Sequence, residues 1–557
     1  MNNNLTQPLG SSINLFKNNI GQFCYNSRSS ILILFIILFA IFVRCNAGPR
    51  TIDDSYITYR YARNILTGNG FVYNSGEHVL GTTTPLYTML LTTIAIPFGG
   101  ENADFPCISL IINSLFDGLT CYFLYLLGRR LNSQKVGFAT ALAWAIAPYS
   151  VTFAIGGLET SLYVFLLVFT SYYYVKDKYT VSGFIAALAF LTRPDALILI
   201  LPLFIDLFLT TLFIKNHSIE SKSLFIELNG NSSFKSLFHM MVFFSIPVLI
   251  WLAFATFYFG NPIPHSMVAK TLAYHLPNNA AFIRLLQHYA TPFLEENLLH
   301  SAAILLGLFV YPFLAVIGSL KINRSSSRAR PLLLFPWLYF LIFSIANPLI
   351  FRWYLTPPLC IYFLIIFAGL EALIEQIGAE IKKHTIKNFN VLISIPTFIF
   401  LFLLPTGFIT CAWTMHPDHG IDKPAPKMAW YKLELLYKQV ADFITNQVPS
   451  SESTLIAAGD VGVLGYYTKS RILDTVGLNS TQTINYYPLD ERYYVINYAI
   501  PPKLITDYRP DYVVFLEVYG RKSLLQDQDF LTSYSLLKEF DTDIYGSQGM
   551  LIYGRNP

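Results

Sequence analysis

The sequence predicts a mostly α, polytopic membrane protein that ends in a small α/β domain. Three observations carry this prediction. Of 557 residues, 54% are hydrophobic and 13% charged, against about 25% charged in ordinary soluble domains. Apolar runs able to cross a hydrocarbon layer of about 30 Å recur through the first three quarters of the chain. From Trp413 onward the character changes: these 145 residues hold 30 of the 72 Asp, Glu, Lys and Arg residues, the balance of a water-exposed domain. The net charge of +4 gives no reason to expect nucleic acid as a partner. Six cysteines show no CxxC or metal-ligand spacing and read as isolated small apolar residues.

Residues 1–29 are polar and poorly patterned, and read as a disordered cytoplasmic tail. The run Ile31–Val43 has the length of a signal peptide's apolar region, but no clean small-residue cleavage site follows, so it reads as a retained anchor. The predicted membrane domain spans 30–412, with crossings near 30–46, 107–128, 136–155, 158–176, 179–192, 195–214, 237–259, 298–320, 331–347, 352–374 and 389–412. A further run, 85–99, is shorter and bounded by Pro and Gly. Basic connections at 128–135, 175–178, 321–330 and around Lys382, Lys383 and Lys387 belong inside. Eleven crossings satisfy that rule only if 85–99 lies along the outer surface. Residues 47–106 then form one outer loop, and 413–557 an outer domain. In that domain a helix over 428–447 precedes strands at 453–459, 470–477 and 511–518.

Ionisable residues at a membrane edge are costly and mark functional sites. The outer loop opens with DDSYITYRYAR: Asp53 and Asp54 head a predicted helix, where carboxylates suit the dipole. Tyr56, Arg60 and Arg63 follow Asp53 on one helical face, an arrangement suited to a sugar and its phosphate. A cap with a solvated neighbour is the structural alternative for the aspartates. Glu159 in GGLETSLY falls in a short outer turn. Arg193 precedes Pro194 and Asp195, FGNPIPHSMVAK brings His265 and Lys270, and Arg352 sits at the edge of the tenth crossing, where snorkelling is the structural alternative. Carboxylates can take a proton from a sugar hydroxyl or hold a divalent cation, and cations can stabilise a phosphate leaving group. The combination points to glycosyl transfer from a lipid-linked phosphosugar.

These residues resemble a known family. Asp53-Asp54-Ser55-Tyr56-Ile57, Arg60-Tyr61-Ala62-Arg63, Asn74-Ser75-Gly76-Glu77 and Thr83-Thr84-Pro85-Leu86 are similar to the first outer loop of GT-C glycosyltransferases, especially the actinobacterial terminal arabinofuranosyltransferases that use a decaprenyl-phosphate sugar. Ser55, Ser75 and Thr84 depart mildly from that pattern. The likeness continues through GGLETSLY, LTRPDAL and FGNPIPHSMVAK, and reappears at GDVGVLGYYTKSRILDTVGL (459–478).

The resemblance implies a GT-C fold with juxtamembrane helices in the first outer loop. It also implies a polyprenyl-phosphate sugar donor, a glycan, lipid or protein acceptor, and a multi-pass protein of the plasma (inner) membrane. Its catalytic site and C-terminal domain would face the outside or periplasm. Asp53 is the expected general base, with Asp54 as the alternative base or a metal ligand. Glu159 would assist or coordinate a cation, and Arg193, Lys270, Arg352 and His265 are candidates for the phosphate. A divalent cation (Mg, Mn or Ca) held by Asp53, Asp54 and Glu159 is one option and metal-free transfer the other.

The resemblance leaves the sugar open between arabinofuranose and mannose or another hexose. A transporter or flippase of lipid-linked sugars is the competing class, but the internal repeats common in such proteins are absent, and the acidic groups sit at one edge. A non-catalytic glycan-binding scaffold would not need Asp53, Asp54 and Glu159 together.

Overall fold

Apolar sequence turns into helix along most of the chain. The computed structural model describes residues 10–131, 133–221, 224–293, 301–382, 429–448 and 453–557. The helices in order are α1 (Gly10–Ala47), α2 (Asp53–Leu66), α3 (Pro85–Ala95), α4 (Phe105–Arg130), α5 (Gln134–Ile146), α6 (Pro148–Ile155), α7 (Thr160–Val175), α8 (Tyr179–Thr192), α9 (Leu197–Ser221), α10 (Leu224–Phe259), α11 (His265–Ala273), α12 (Ala280–Ala290), α13 (Ser301–Ser325), α14 (Arg330–Ala346) and α15 (Leu359–Lys382).

Ten of the eleven predicted crossings coincide with α1, α4, the bent pair α5–α6, α7, α8, α9, α10, α13, α14 and α15. The eleventh, 389–412, lies outside the described residues, as do Lys383, Lys387 and the expected domain boundary at 413. Among the described residues, seven helices are long and apolar enough to cross a membrane on their own, and α5–α6, bent by 48°, makes an eighth if it is one span. Helices α7 and α8 are shorter, at 16 and 14 residues. The expected disordered tail gives way in part to helix, because α1 begins at Gly10. Large apolar side chains point outward, among them Phe257 at 91%, Phe309 at 76% and Ile345 at 75% exposed. Such exposure is favourable only in lipid, and the chain is a multi-pass membrane protein.

Small residues and a fully buried ion pair help hold the bundle. A side chain on Gly318 of α13 would overlap the backbone of α15, and one on Gly369 the backbone of α13, so the two helices cross with their main chains touching. Arg44, fully buried near the end of α1, donates from Nε to Asp117 Oδ2 at 2.6 Å. Asp117 also accepts from Trp144 Nε1 and Ser161 Oγ, both at 3.1 Å. The remaining Arg44 hydrogens go to the Ala40 and Ala145 carbonyls and to Ser150. This pair joins α1, α4, α5 and α7.

The first loop carries a short apolar helix over the expected surface run. Helix α3 has 11 residues, about 16 Å at 1.5 Å per residue, half of a hydrocarbon layer. It stacks on α2 and on the bundle, where the Tyr87 hydroxyl donates to the Gly157 carbonyl at 3.1 Å.

The C-terminal unit begins with α16 (Ala429–Gln447) and builds a five-stranded sheet of order β2-β1-β3-β5-β4. Strands β1 (Leu455–Ala458), β2 (Arg471–Asp474) and β3 (Tyr512–Leu516) occupy the three predicted runs and pair in parallel. A hairpin of β4 (Tyr534–Asp541) and β5 (Gly549–Arg555) adds antiparallel to β3; the sequence reading did not anticipate it. Between β1 and β2 the helix α17 (Gly462–Thr468) forms, and it is the element that meets the first loop.

Candidate active site

The two adjacent aspartates have different surroundings. Asp53 is buried, and both of its carboxylate oxygens are used: Gly462 N–H donates to Oδ2 at 2.8 Å and Val463 N–H to Oδ1 at 2.7 Å. Asp53 thus caps a helix, but that helix is α17, 409 residues away in sequence, rather than its own α2. The first turn of α17 has orphan amides that need acceptors. A side chain on Gly462 would overlap the Asp53 carbonyl oxygen, so the contact requires glycine. From the other side, the Asp53 amide donates to Glu434 Oε1 of α16 at 2.9 Å. Burial, with Asp460 nearby, pushes the Asp53 carboxyl well above the usual carboxylate range, and the two amides pull the other way.

The rest of the α2 face follows Asp53 into this interface. Arg60 donates from Nε to the Tyr73 carbonyl and from Nη2 to the Ser470 carbonyl, both at 2.8 Å. Arg63 donates to the Tyr466 carbonyl at 2.7 Å, with its guanidinium 3.5 Å from that ring's centroid. Tyr56 packs against Tyr466 and Tyr467 at centroid distances of 5.2 and 5.7 Å. Asn74 accepts from the Ile472 amide at 3.1 Å and donates to the Ile472 carbonyl at 2.9 Å, imitating a neighbouring strand at β2. The C-terminal unit therefore sits on much of the expected sugar-phosphate face of Tyr56, Arg60 and Arg63, leaving Arg63 part-exposed. A polar cavity of about 190 Å³, lined by Arg60, Arg63, Asn64, Glu101 and Lys469 among others, opens beside these residues. Arg63 lies nine residues from Asp54, half a turn out of phase on a 3.6-residue helix.

Asp54 is only half-buried and makes no hydrogen bond or ion pair with the described residues. Burial raises its carboxyl above the ordinary value, and the nearby Lys270 ammonium pulls it back. Lys270 comes from α11, where its Nζ lies 4.7 Å from the Phe351 ring centroid. Tyr274, at the end of α11, lies close to Asp54 and to Asp460 of the C-terminal unit. Its ring approaches Phe351 at 6.1 Å and Tyr498 at 6.2 Å. Asp460 also feels Asp54, and its carboxyl is pushed up to about 6, chiefly by burial. Asp54, Lys270, Tyr274 and Asp460 thus gather where the first loop, α11 and the C-terminal unit meet.

Behind Asp54 stands a second acidic group. The Ile52 amide and the Ser55 hydroxyl both donate to the Gly156 carbonyl, at 2.9 and 2.8 Å. This sews the start of α2 to the turn that carries Glu159. Glu159 is buried and already paired: Arg193 Nη1 donates to its Oε1 at 3.2 Å, and Arg193 Nε to Asp195 Oδ1 at 3.0 Å. Arg193 also lies over the rings of Tyr354 and Tyr163. Arg352, for which snorkelling was the alternative, is 3% exposed. It begins a short 3-10 turn whose Trp353 packs with Ile52 next to Asp53. The His265 backbone amide donates to the Leu80 carbonyl at 2.8 Å, and burial lowers the pKa of its ring.

Of the three carboxylates expected as cation ligands, Asp53 and Glu159 already have partners in the structure. Both Asp53 oxygens accept amide hydrogens, and Glu159 is held by Arg193. Among the described residues no group of three or more His, Cys, Asp or Glu side chains is arranged to hold a metal ion.

Asp460 is the site member that the sequence reading passed over as an individual residue. It stood inside a quoted motif, GDVGVLG, whose glycines are explained by close approach: a side chain on Gly465 would overlap Tyr73 and Arg60. Asp474 of the same motif is structural, accepting the amides of Val476, Gly477 and Asn479 at 2.9 to 3.0 Å.

Residues 427–553 match a family described as a domain of unknown function (DUF8728). A stretch of 118 residues is 31% identical to a terminal β-(1→2)-arabinofuranosyltransferase of Mycobacterium tuberculosis, covering 20% of this chain and only 18% of that relative. Among solved structures, the oligosaccharyltransferase AglB of Archaeoglobus fulgidus, in complex with an inhibitory peptide and a dolichol-phosphate, superposes with a TM-score of 0.53 at 12% identity, over 96% of this chain and 74% of that one. ArnT of Cupriavidus metallidurans in the apo state gives a TM-score of 0.53 at 11% identity, over 96% of this chain and all of that one. ArnT bound to undecaprenyl phosphate gives 0.50 at 11% identity, over 95% and 99%. The fold is the GT-C fold.

Proposed function

We propose that this protein is an inverting glycosyltransferase that moves a sugar from a polyprenyl-phosphate donor to a cell-envelope acceptor, and that Asp54, rather than Asp53, is its general base. The observation that carries the reading is the free, half-buried Asp54 carboxylate beside Lys270 at the junction of loop and C-terminal unit. The GT-C neighbours supply the donor class, since one was solved with dolichol-phosphate and another with undecaprenyl phosphate. The matched arabinofuranosyltransferase makes arabinofuranose the first sugar to test. The transfer surface faces the outside of the plasma membrane, as the positive-inside rule places the first loop.

In this mechanism the acceptor hydroxyl gives its proton to Asp54, and its oxygen forms a bond to the anomeric carbon. The carbon–oxygen bond to the phosphate breaks in the same displacement, inverting the centre, and polyprenyl phosphate leaves with the electron pair. Lys270 stabilises the charge that develops on the departing phosphate. The Glu159–Arg193–Asp195 cluster fixes the turn under Asp54. No step is routed through a metal.

The test is transfer by purified protein in detergent, with a panel of polyprenyl-phosphate sugars and alkyl-glycoside acceptors. Wild type forms a glycosidic bond with at least one pair, and D54N slows it by about 100-fold or more. Wild-type rates in D54N remove Asp54 from the chemistry. Movement of lipid-linked sugar across liposomes with no new glycosidic bond makes the protein a transporter instead.

A further inference from the structure

We propose that Asp460, carried by the C-terminal unit and held by Tyr437, binds the acceptor, and that this acceptor is a glycan whose neighbouring hydroxyls bridge Asp54 and Asp460. The inference rests on Asp54 being the base and adds the group that orients what it deprotonates.

The placement follows from the capping contact. Asp53 is bonded to Gly462 and Val463. Asp54 follows Asp53 and Asp460 lies two residues before Gly462, so both flank the contact that docks the two units, and Asp460 is close enough to feel the Asp54 charge. Tyr437 of α16 donates its hydroxyl to Asp460 Oδ2 at 2.9 Å. Oδ1 has no partner among the described residues, and the residue is half-buried, as Asp54 is. One oxygen is anchored and the other is presented.

The surroundings select the ligand. Two carboxylates accept hydrogen bonds from hydroxyl groups. The half-buried rings of Phe351, Tyr274 and Tyr519 line the same junction, apolar faces with polar tips that match a sugar's C–H faces and hydroxyls. An anionic acceptor would meet two carboxylates against Lys270 alone. A neutral, polyhydroxylated acceptor meets acceptors and rings.

The experiment uses the full-length protein in detergent with the donor and acceptor pair that gives turnover in the panel above. D460N is expected to raise the KM for the alkyl-glycoside acceptor by about tenfold or more. The rise in acceptor KM exceeds any change in the donor KM or in the slow hydrolysis of donor without acceptor, and the effect is read as that ratio. D460E recovers part of the loss, and Y437F moves the acceptor KM in the same direction by less. An unchanged acceptor KM in D460N overturns the proposal, as does an equal fall in transfer and donor hydrolysis. Where D460N does not fold, Y437F carries the test: an unchanged acceptor KM there overturns it too. Full activity in D54N sinks the base assignment whatever Asp460 does; an inactive D54N with a silent D460N sinks this inference alone.

Discussion

Asp53 and Asp54 differ in what they touch, so replacing them one at a time separates docking from chemistry. Asp53→Ala leaves the Gly462 and Val463 amides without an acceptor in a buried interface. Each unsatisfied buried group costs about 1–3 kcal/mol, so the pair sets a range of about 2–6 kcal/mol. Loss of a helix cap to alanine costs about 0.5–2 kcal/mol where water can enter. Burial and Asp460 work against the ionised carboxyl in the folded state, which places the expected loss near the lower part of the range, at about 2–3 kcal/mol. The assays are thermal unfolding of the detergent-purified protein and limited trypsin digestion at Lys469, which follows α17 directly. D53A should unfold at lower temperature and be cut more than tenfold faster. D54N should leave both unchanged, because Asp54 makes no hydrogen bond with the described residues, and should lose transfer. If D53A is as stable as wild type and inactive while D54N transfers normally, the assignment of the two aspartates is reversed and the reasoning fails.

Other perturbations give independent readings. The Asp54 carboxyl titrates above the ordinary value of about 3.9, and a base works only when ionised. The acid limb of kcat/KM should therefore lie above that value, and a profile flat down to pH 4 contradicts it. Lys270 lowers the Asp54 pKa, so Lys270→Met should move that limb to higher pH and raise the donor KM by about tenfold, measured as initial rates across pH. Arg44→Met strands Asp117 without its buried partner, and should cost about 3–5 kcal/mol of stability in a thermal melt. Gly462→Ala forces a Cβ into the Asp53 carbonyl, and should reproduce the trypsin sensitivity of D53A with Asp54 intact; a protease-resistant G462A contradicts the fit.

Much of the membrane part could be read from the sequence because apolar runs and basic connections are local signals. The run 85–99, expected along the outer surface by charge, forms the short helix α3. The first three strands were also visible as short apolar runs. The β4–β5 hairpin was not, since SLLKEF interrupts alternation and most of β4 is exposed. The site was half legible. Asp53 and Asp54 stand out as a pair in any reading, but their roles depend on a helix 409 residues away, and no local pattern encodes that pairing. Arg60 and Arg63 show the same limit: a face that is polar in isolation meets the C-terminal unit once that unit docks, and both arginines line a cavity beside it. Asp460 lay in a recognised motif, yet only its distance from Asp54 in space, not its neighbours in sequence, marks it.

The cap that Asp53 places on α17 has a consequence for how such chains are inherited. The unit matched as a domain of unknown function spans 427–553, yet the start of its helix α17 is shaped to a carboxylate carried by the first loop. Exchange of that unit between chains should therefore require a matching first loop. A glycine at 462 has value only opposite an aspartate at 53, and an aspartate at 53 only beneath two free amides. Across relatives the two positions should be lost or kept together, and chimeras joining a loop and a C-terminal unit from different lineages should assemble only when both halves of the contact arrive intact.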